Sequence, residues 1–583
     1  MSDHDLQEAA SPEGEESKGH THRRLAPPIW VWVVAGIAIA VIAVVQGADA
    51  FRDHAISNVA TLIAAFVALM TALVWFSFLS GYSRRMRRSV LAGTLAVIAA
   101  ICALFEIVSV SGELVPKVVP RFTVEIDWAK GRVLPSIALR WRRKPDELLG
   151  ELKPSQDLAQ IDVLATTDHD FPQFLGPDRN LSIRNVELAR DWNQHPPQLV
   201  WRHEIGAGWS GFAVVGEYAV TMEQRGDLEM VTCYGRLDGR LMWAHSIQTR
   251  FDTILAGVGP RATPTIDQGL VYTLGAKGRL LCLDGASGRV RWDKDLWNEF
   301  GVTQDDEETQ IPYGRANSPL MLSDLVVVPA GGPIDGSWVS LVAYDKKTGD
   351  PVWEGGSRQI SYSSPVLTKL GGVEQILIVN QDYVSGHDPQ TGAVLWEHDW
   401  PGKSATNANV SQAVPVPPDR VFLSKGYSRG AMLLQLTLKE NDTFDAKPLW
   451  DNARVMRTKF TNVVIRDDHA YGLSDGILEC IDLETGRRTW KAGRYGHGQI
   501  LLVGELLLVS AESGEVFLVE ATPERRNRVL GSFQAVEGKT WNNLALSGPY
   551  LLVRNAGQAA CYKLPLAEAT ESSPPESAAA DAE

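Results

Sequence analysis

From residue 171 onward one unit recurs: Asp, two variable residues, a small polar residue, Gly, three more residues and Trp. It stands as Asp284-Gly285-Ala286-Ser287-Gly288-Arg289-Val290-Arg291-Trp292 and returns over 345–353, 388–396 and 482–490, with a looser copy ending at Trp243. Asp and Gly at that spacing suit a tight hairpin turn, where Asp caps its own backbone and Gly takes positive φ, and the flanks alternate as strands do. Degenerate copies end at Trp201, Trp450 and Phe533. The eight closing positions lie about 47 residues apart on average, the length of one four-stranded propeller blade. Ahead of each copy a short apolar strand recurs near Gly211, Ala262, Ser318, Ser364, Ser411, Thr461, Gln499 and Asn542, which again makes eight. The pattern predicts an all-β eight-bladed propeller of four-stranded blades. Its last blade has three strands of its own (541–546, 550–554 and 559–564), so residues 199–205 are predicted to complete it and tie the ends of the ring together. Trp201, Trp243, Trp292, Trp353, Trp396, Trp450 and Trp490 are each expected to close a blade and dock against its neighbour, with Phe533 as the eighth.

The first 110 residues are of another kind. Apolar runs at 29–45, 60–79 and 90–110 reach roughly 26 to 32 Å as helices, long enough to cross a bilayer. A cleaved signal peptide fits poorly, because two more runs follow the first. Arg23 and Arg24 precede the first run and Arg84, Arg85, Arg87 and Arg88 fill the second loop, whereas the first loop holds Asp49 and Asp53 against Arg52 alone. Positive loops stay in the cytoplasm, so the N-terminus is predicted inside and the propeller outside, in the periplasm of a bacterial cell whose inner membrane holds the helices. Glu106, near the end of the third run, is read as reaching the interface rather than as a proton relay. The predicted division is a disordered cytoplasmic tail at 1–28, three membrane helices within 29–110, a connector at 111–170, the propeller at 171–564 and a disordered acidic tail at 565–583. Within the connector, neither the strand-like 122–126 nor the basic 140–144 is assigned a place. A net charge of −14 without a basic stripe argues against nucleic acid as a partner.

The Asp-x-x-Thr-Gly-x-x-x-Trp units resemble the tryptophan-docking repeats of the pyrroloquinoline-quinone-like (PQQ-like) propellers, which include quinoprotein dehydrogenases and the BamB-type outer-membrane assembly lipoprotein. The resemblance covers about 171–564. Residues 171–180 are similar to the opening segment of many bacterial propellers of this kind that have no established activity. For the dehydrogenases the resemblance implies a quinone over an adjacent Cys-Cys pair, a Ca²⁺ held by oxygen ligands and a catalytic Asp. The sequence has no vicinal cysteines. Cys102 lies in an apolar run, and Cys233, Cys282 and Cys480 each stand six residues before a turn Gly, where Ala343 and Gly386 also occur, so the repeat asks for a small residue there.

Two local motifs are read as structural. Gly426-Tyr427-Ser428-Arg429-Gly430 matches a nucleophile elbow in letters, but strand-like flanks on both sides make it a hairpin turn. Residues 305–308, all acidic, lack the alternating spacing of a Ca²⁺ loop and are read as a solvated loop. What remains is a set of residues just before or within the first strand of successive blades: Ser210, Arg261, Tyr313, Arg315, Tyr362, Ser363, Asn407, Asn409, Lys459, Asn462, Tyr495, His497, Trp541 and Asn542. Their recurrence predicts that they face a common channel. There Arg261 and Lys459 suit an anionic group and Trp541 a planar one, while the plainer reading is that the set satisfies backbone groups and water. The sequence therefore reads as a membrane-anchored envelope scaffold that binds a protein partner, with no complete catalytic set, no metal site and no cofactor. The competing reading is a membrane-tethered quinoprotein alcohol or sugar dehydrogenase using PQQ and Ca²⁺.

Overall fold

The computed structural model describes residues 25–47, 54–125, 136–139, 145–149, 152, 161–164, 166–402, 404, 407–440 and 443–567. Arg23, Arg24, Asp49, Arg52, Asp53, the basic stretch 140–144 and the acidic tail from 568 lie outside them. The described residues fall into two compact units, one comprising residues up to Val108 with Val118–Arg140, the other Ser109–Lys117 with everything from Trp141.

In the first unit helix α1 spans Ile29–Gly47, α2 spans His54–Val74 and runs on as a π-turn, Trp75–Leu79, and α3 spans Arg84–Leu104. Ser83 caps α3 by accepting from Met86 N, which fixes its start at the arginine cluster. Large apolar side chains such as Leu62, Phe66, Leu69 and Leu95 are exposed around these helices, and all three are long and apolar enough to cross a membrane. Ser57 Oγ donates to Val45 O at 3.1 Å and Gln46 Nε2 to Thr61 Oγ1 at 2.9 Å, holding α1 against α2. The third helix ends six residues before the apolar run does. Phe105–Val110, with the β-branched residues Ile107, Val108 and Val110, is a strand paired with Pro116–Pro120. Glu106 faces Arg121 at 3.8 Å.

In the second unit, a ring of eight blades, the Asp–Gly turns become the hairpins between the third and fourth strands of blades 1, 2, 3, 4 and 6. The first strands of blades 1 to 8 are Ala213–Val215, Thr265–Asp267, Leu320–Met321, Val366–Leu370, Val414–Val416, Val464–Arg466, Gln499–Val503 and Ala545–Ser547. Seven of them head a four-stranded antiparallel sheet, and that of blade 7 carries Ser182–Ile183 alongside it as a fifth, parallel strand. Blade 8 is completed by Gln198–Glu204, which pairs antiparallel with Gln558–Lys563, so the ring closes as the strand count requires.

The fourth strands explain the motif. In Val290–Asp295, Pro351–Gly355 and Val394–Asp399 most of the strand meets solvent while the Trp is buried. Its indole lies on the turn glycine of the next blade: a Cβ on Gly288 would come within 2.5 Å of the Trp243 ring, on Gly349 within 2.8 Å of Trp292 and on Gly486 within 2.4 Å of Trp450. These glycines also have φ of +69°, +77° and +63°, so only Gly satisfies both backbone and neighbour. The turn Asp caps in the expected way. Asp345 Oδ1 accepts from Thr348 N and Lys347 N, which hold its carboxyl below the usual range. Five indoles then donate across the seam to the turn backbone: Trp201 to Arg236 O, Trp243 to Gly285 O, Trp292 to Lys346 O, Trp450 to Leu483 O and Trp490 to Thr522 O, all at 2.7 to 3.0 Å.

Two blades depart from this. Trp396 donates within its own blade, to Gln375 Oε1 at 2.5 Å, and Trp353 packs on Gly392 with its Nε1 unbonded among the described residues. We therefore expect Trp292→Phe to cost about 1 kcal/mol more than Trp353→Phe, the net worth of one hydrogen bond, read as a larger fall in thermal midpoint.

Blade 7 corrects the expectation for Phe533. In the other blades the Trp pairs with the residue just before a bulge, Cys282 with Trp292 and Cys480 with Trp490, whereas in blade 7 that pair is Leu518 with Gly531. Phe533 sits two residues on. The vacated place is filled by Trp192, from outside the blade: its Cβ is 2.6 Å from where a Gly531 Cβ would be, and its ring meets Phe533 edge-on at 5.8 Å.

Residues 166–191 run under the ring at the end carrying the turns between first and second strands. Phe171 bridges to Val214 of blade 1, Pro172 O accepts from Ile266 N of blade 2, and the buried Arg179 donates to Ser318 O at 3.0 Å and Pro319 O at 2.8 Å, entering blade 3. Ser182–Ile183 then pairs parallel to the first strand of blade 7, which stands opposite blade 3 in a ring of eight. The segment thus crosses the ring and closes that end of the channel.

Candidate functional site at the open end of the channel

The loops leading into the first strands meet at the other end, and the predicted channel residues divide there into a belt and a mouth. In the belt, Asn542 Nδ2 donates to Gly208 O and Ser210 O, Asn409 Nδ2 to Asn380 O and Gln381 O, and Ser363 O accepts from Asn317 Nδ2. Gln412 N donates to Asn462 Oδ1, and Ser210 Oγ accepts from Met222 N. Each amide crosses from one blade to backbone of the next, so the belt holds neighbouring blades in register.

The mouth gathers aromatic rings. Trp541 lies 4.7 Å from Phe460 and 4.9 Å from Trp209, centroid to centroid, and Phe460 lies 5.1 Å from His497. Lys539 Nζ stands over the faces of Trp541 at 4.0 Å and Trp209 at 5.0 Å. Burial pulls its ammonium down to about 8, partly opposed by Glu512. Glu512 binds this group together, its Oε1 accepting from Trp541 Nε1 at 3.0 Å and its Oε2 from His497 N at 3.1 Å.

Farther round the ring the predicted residues point to other tasks. Arg261 stacks on Phe251 at 4.3 Å and donates to Ala256 O and Gly257 O, which commits its guanidinium to a neighbouring loop. Arg315 pairs with Glu307 at 2.8 Å, both buried. The acidic run 305–308, expected as a loop, lies within a helix, Gln304–Gln310, because Thr303 and Asp306 form a capping box and Glu307 turns inward to Arg315. Tyr313 and Tyr362 lie 5.6 Å apart, with Tyr313 N donating to the Tyr362 hydroxyl. Asn407 Nδ2 reaches Asp382 Oδ2 at 3.4 Å, Tyr495 OH donates to Asn527 Oδ1 at 2.8 Å, and Lys459 Nζ lies 5.8 Å from the Tyr427 ring. Gly426–Gly430 is the turn between two strands, as its flanks indicate. The structure thus brings His497 and Trp541 together, with Lys459 one residue before Phe460, and leaves Arg261, Tyr313 and Asn409 outside that group. Trp209, Phe460, Lys539 and Glu512 were not singled out in the sequence. The first three stand in the same leading loops as the predicted residues, whereas Glu512 comes from a turn between second and third strands and carries no repeat signal.

Fold and repeat together define a PQQ-like β-propeller, preceded in the chain by three apolar helices long enough to cross a membrane. Residues 227–492, reaching from blade 1 into blade 6, match the family model described as outer membrane protein assembly factor BamB. Among curated proteins none matches. Among solved structures, a europium-containing methanol dehydrogenase is 12% identical, with 69% of this chain and 99% of that chain covered at a TM-score of 0.52. BamB from Moraxella catarrhalis is 16% identical, with 63% and 100% covered at 0.44, and the quinohemoprotein alcohol dehydrogenase from Comamonas testosteroni is 12% identical, with 70% and 82% covered at 0.46. At such identities the likeness is one of fold.

The residues at the mouth do not fit a Ca²⁺-bound quinone. Glu512 is the carboxylate within the aromatic group, and its two oxygens already accept from Trp541 and His497, far short of the six to eight oxygen ligands typical of Ca²⁺. Among the described residues no three His, Cys, Asp or Glu side chains converge to hold a metal.

Proposed function

We propose that the protein is a membrane-anchored scaffold of the bacterial envelope, with its N-terminus in the cytoplasm and its propeller on the periplasmic side of the inner membrane, where it presents blade edges to a protein partner. One observation carries this reading: the chain covers the channel itself, with 171–183 across one end and residues 110–113 in the mouth, so the surfaces left to offer are the rims and the outer strands. Exposed Val352 and Leu449 lie on such strands. A photo-crosslinking residue placed at either position in native membranes is expected to capture an envelope protein, and a reporter fused after Leu564 is expected to be active only outside the cytoplasm. If neither position captures a protein, and the purified chain supplied with PQQ and Ca²⁺ reduces a dye with an alcohol or sugar, the dehydrogenase reading replaces this one.

A further inference from the structure

The segment Ser109–Lys117 belongs to the propeller unit, and its contacts are those of a ligand. Ser111 to Val115 forms a tight turn: Leu114 N donates to Ser111 O at 2.9 Å, Ser111 N to Val115 O at 2.9 Å, and Leu114 adopts φ +56°. At its apex Gly112 N donates to Glu512 Oε1 at 2.9 Å, the same oxygen that Trp541 Nε1 uses. On one side Val110 O accepts from Lys539 Nζ at 3.2 Å, and on the other Glu113 Oε1 pairs with Arg494 Nη1 at 3.1 Å. The apex has no space for a side chain. A Cβ on Gly112 would stand 2.2 Å from His497 Cδ2 and 3.0 Å from His497 Cβ, so the buried ring and its backbone would both have to shift.

We infer that residues 110–113 are a plug held in cis, which occupies the aromatic and cationic mouth and must leave before anything else binds Lys539, Trp541 or Glu512. Three observations converge on this: a backbone donor matched to the mouth's carboxylate, a backbone acceptor matched to its lysine, and a glycine where the wall permits nothing larger. A ligand for this mouth is planar or anionic, because an ammonium between two indoles recognises such groups. Its apparent affinity is reduced by the small fraction of molecules in which the plug is out. The inference shares the occupied mouth with the scaffold reading but concerns access to that mouth whatever the blade edges bind, so the crosslinking result and the acylation result can fail separately.

The test follows acylation of Lys539 by sulfo-N-hydroxysuccinimide acetate in the full-length chain in nanodiscs, quantified by peptide mass spectrometry with exposed Lys369 as internal reference. Lys539 is expected to react at least ten-fold more slowly than Lys369 in the wild type. Gly112→Val is expected to raise its rate on the order of ten-fold, and Glu113→Ala, which removes the rim pair with Arg494, by a smaller factor, as local opening becomes easier. Should Gly112→Val fail to fold, the wild-type rate and Glu113→Ala decide. The inference is overturned if wild-type Lys539 reacts as fast as Lys369, or if both variants melt like the wild type and leave its rate unchanged.

Discussion

A chain beginning at residue 206 is expected to lose the propeller as a cooperative unit, whereas one beginning at residue 184 keeps it. The shorter chain lacks Gln198–Glu204, and with it the partner of Gln558–Lys563. It also lacks Trp201, whose indole bonds Arg236 O at 2.8 Å and stacks on His203 at 4.7 Å, and Arg202, which donates to Ala535 O at 2.9 Å. Loss of the buried Trp is worth about 3–5 kcal/mol. The bare strand then carries the buried Ala559, Ala560 and Cys561 to an open edge, a template for aggregation. The chain from residue 184 loses the segment under the channel but keeps the seam, so it is expected to melt earlier in one transition. Thermal circular dichroism with size-exclusion chromatography distinguishes the two, and a monomeric, cooperatively melting chain from residue 206 would show that strand closure does not hold the ring.

Arg554→Met is expected to destabilise the same seam by about 3–5 kcal/mol, the cost of stranding buried acceptors of a charged donor. Arg554 is fully buried, and its guanidinium donates to Thr221 Oγ1 at 2.6 Å, Met222 O at 2.9 Å and Gly206 O at 2.9 Å, joining blade 8 to blade 1. Methionine keeps much of the volume and supplies no donor, leaving three buried oxygens without their partner. The neighbouring buried Glu223 also loses one of the two cations beside it, keeping Arg225 at 3.4 Å. A thermal midpoint within a degree or two of the wild type would mean that water or a shifted side chain replaces those bonds.

Both effects fall on a seam that the sequence already located. Counting closing strands against leading strands showed an unfinished blade and a spare Trp201, because Asp–Gly turn chemistry and strand alternation are local and survive in the letters. The same local logic misplaced the eighth closing aromatic. Phe533 has the right distance from its neighbours, but the bulge in blade 7 puts Gly531 at the docking position and leaves the space to Trp192, a substitution visible only once separate stretches of chain pack together. Cys561, opposite Trp201, occupies the small-residue position that Cys233, Cys282 and Cys480 hold in their own blades, and it becomes equivalent to them only when the ring closes. The end of α3 shows a third kind of limit: hydropathy carries the run to residue 110, while β-branched residues turn it into strand after Leu104.

The mouth was half legible. His497 and Trp541 announced themselves by position in the repeat, yet the residue that joins them, Glu512, lies in a turn with no repeat signature, and the segment it grips lies 400 residues away. Turn chemistry, strand period and blade count are properties of neighbouring residues, so eight blades and their closure could be read from the chain alone. Which side chains share a mouth, which indole fills a gap and which backbone lies over the channel depend on contacts between residues hundreds of positions apart, and no local pattern encodes those distances.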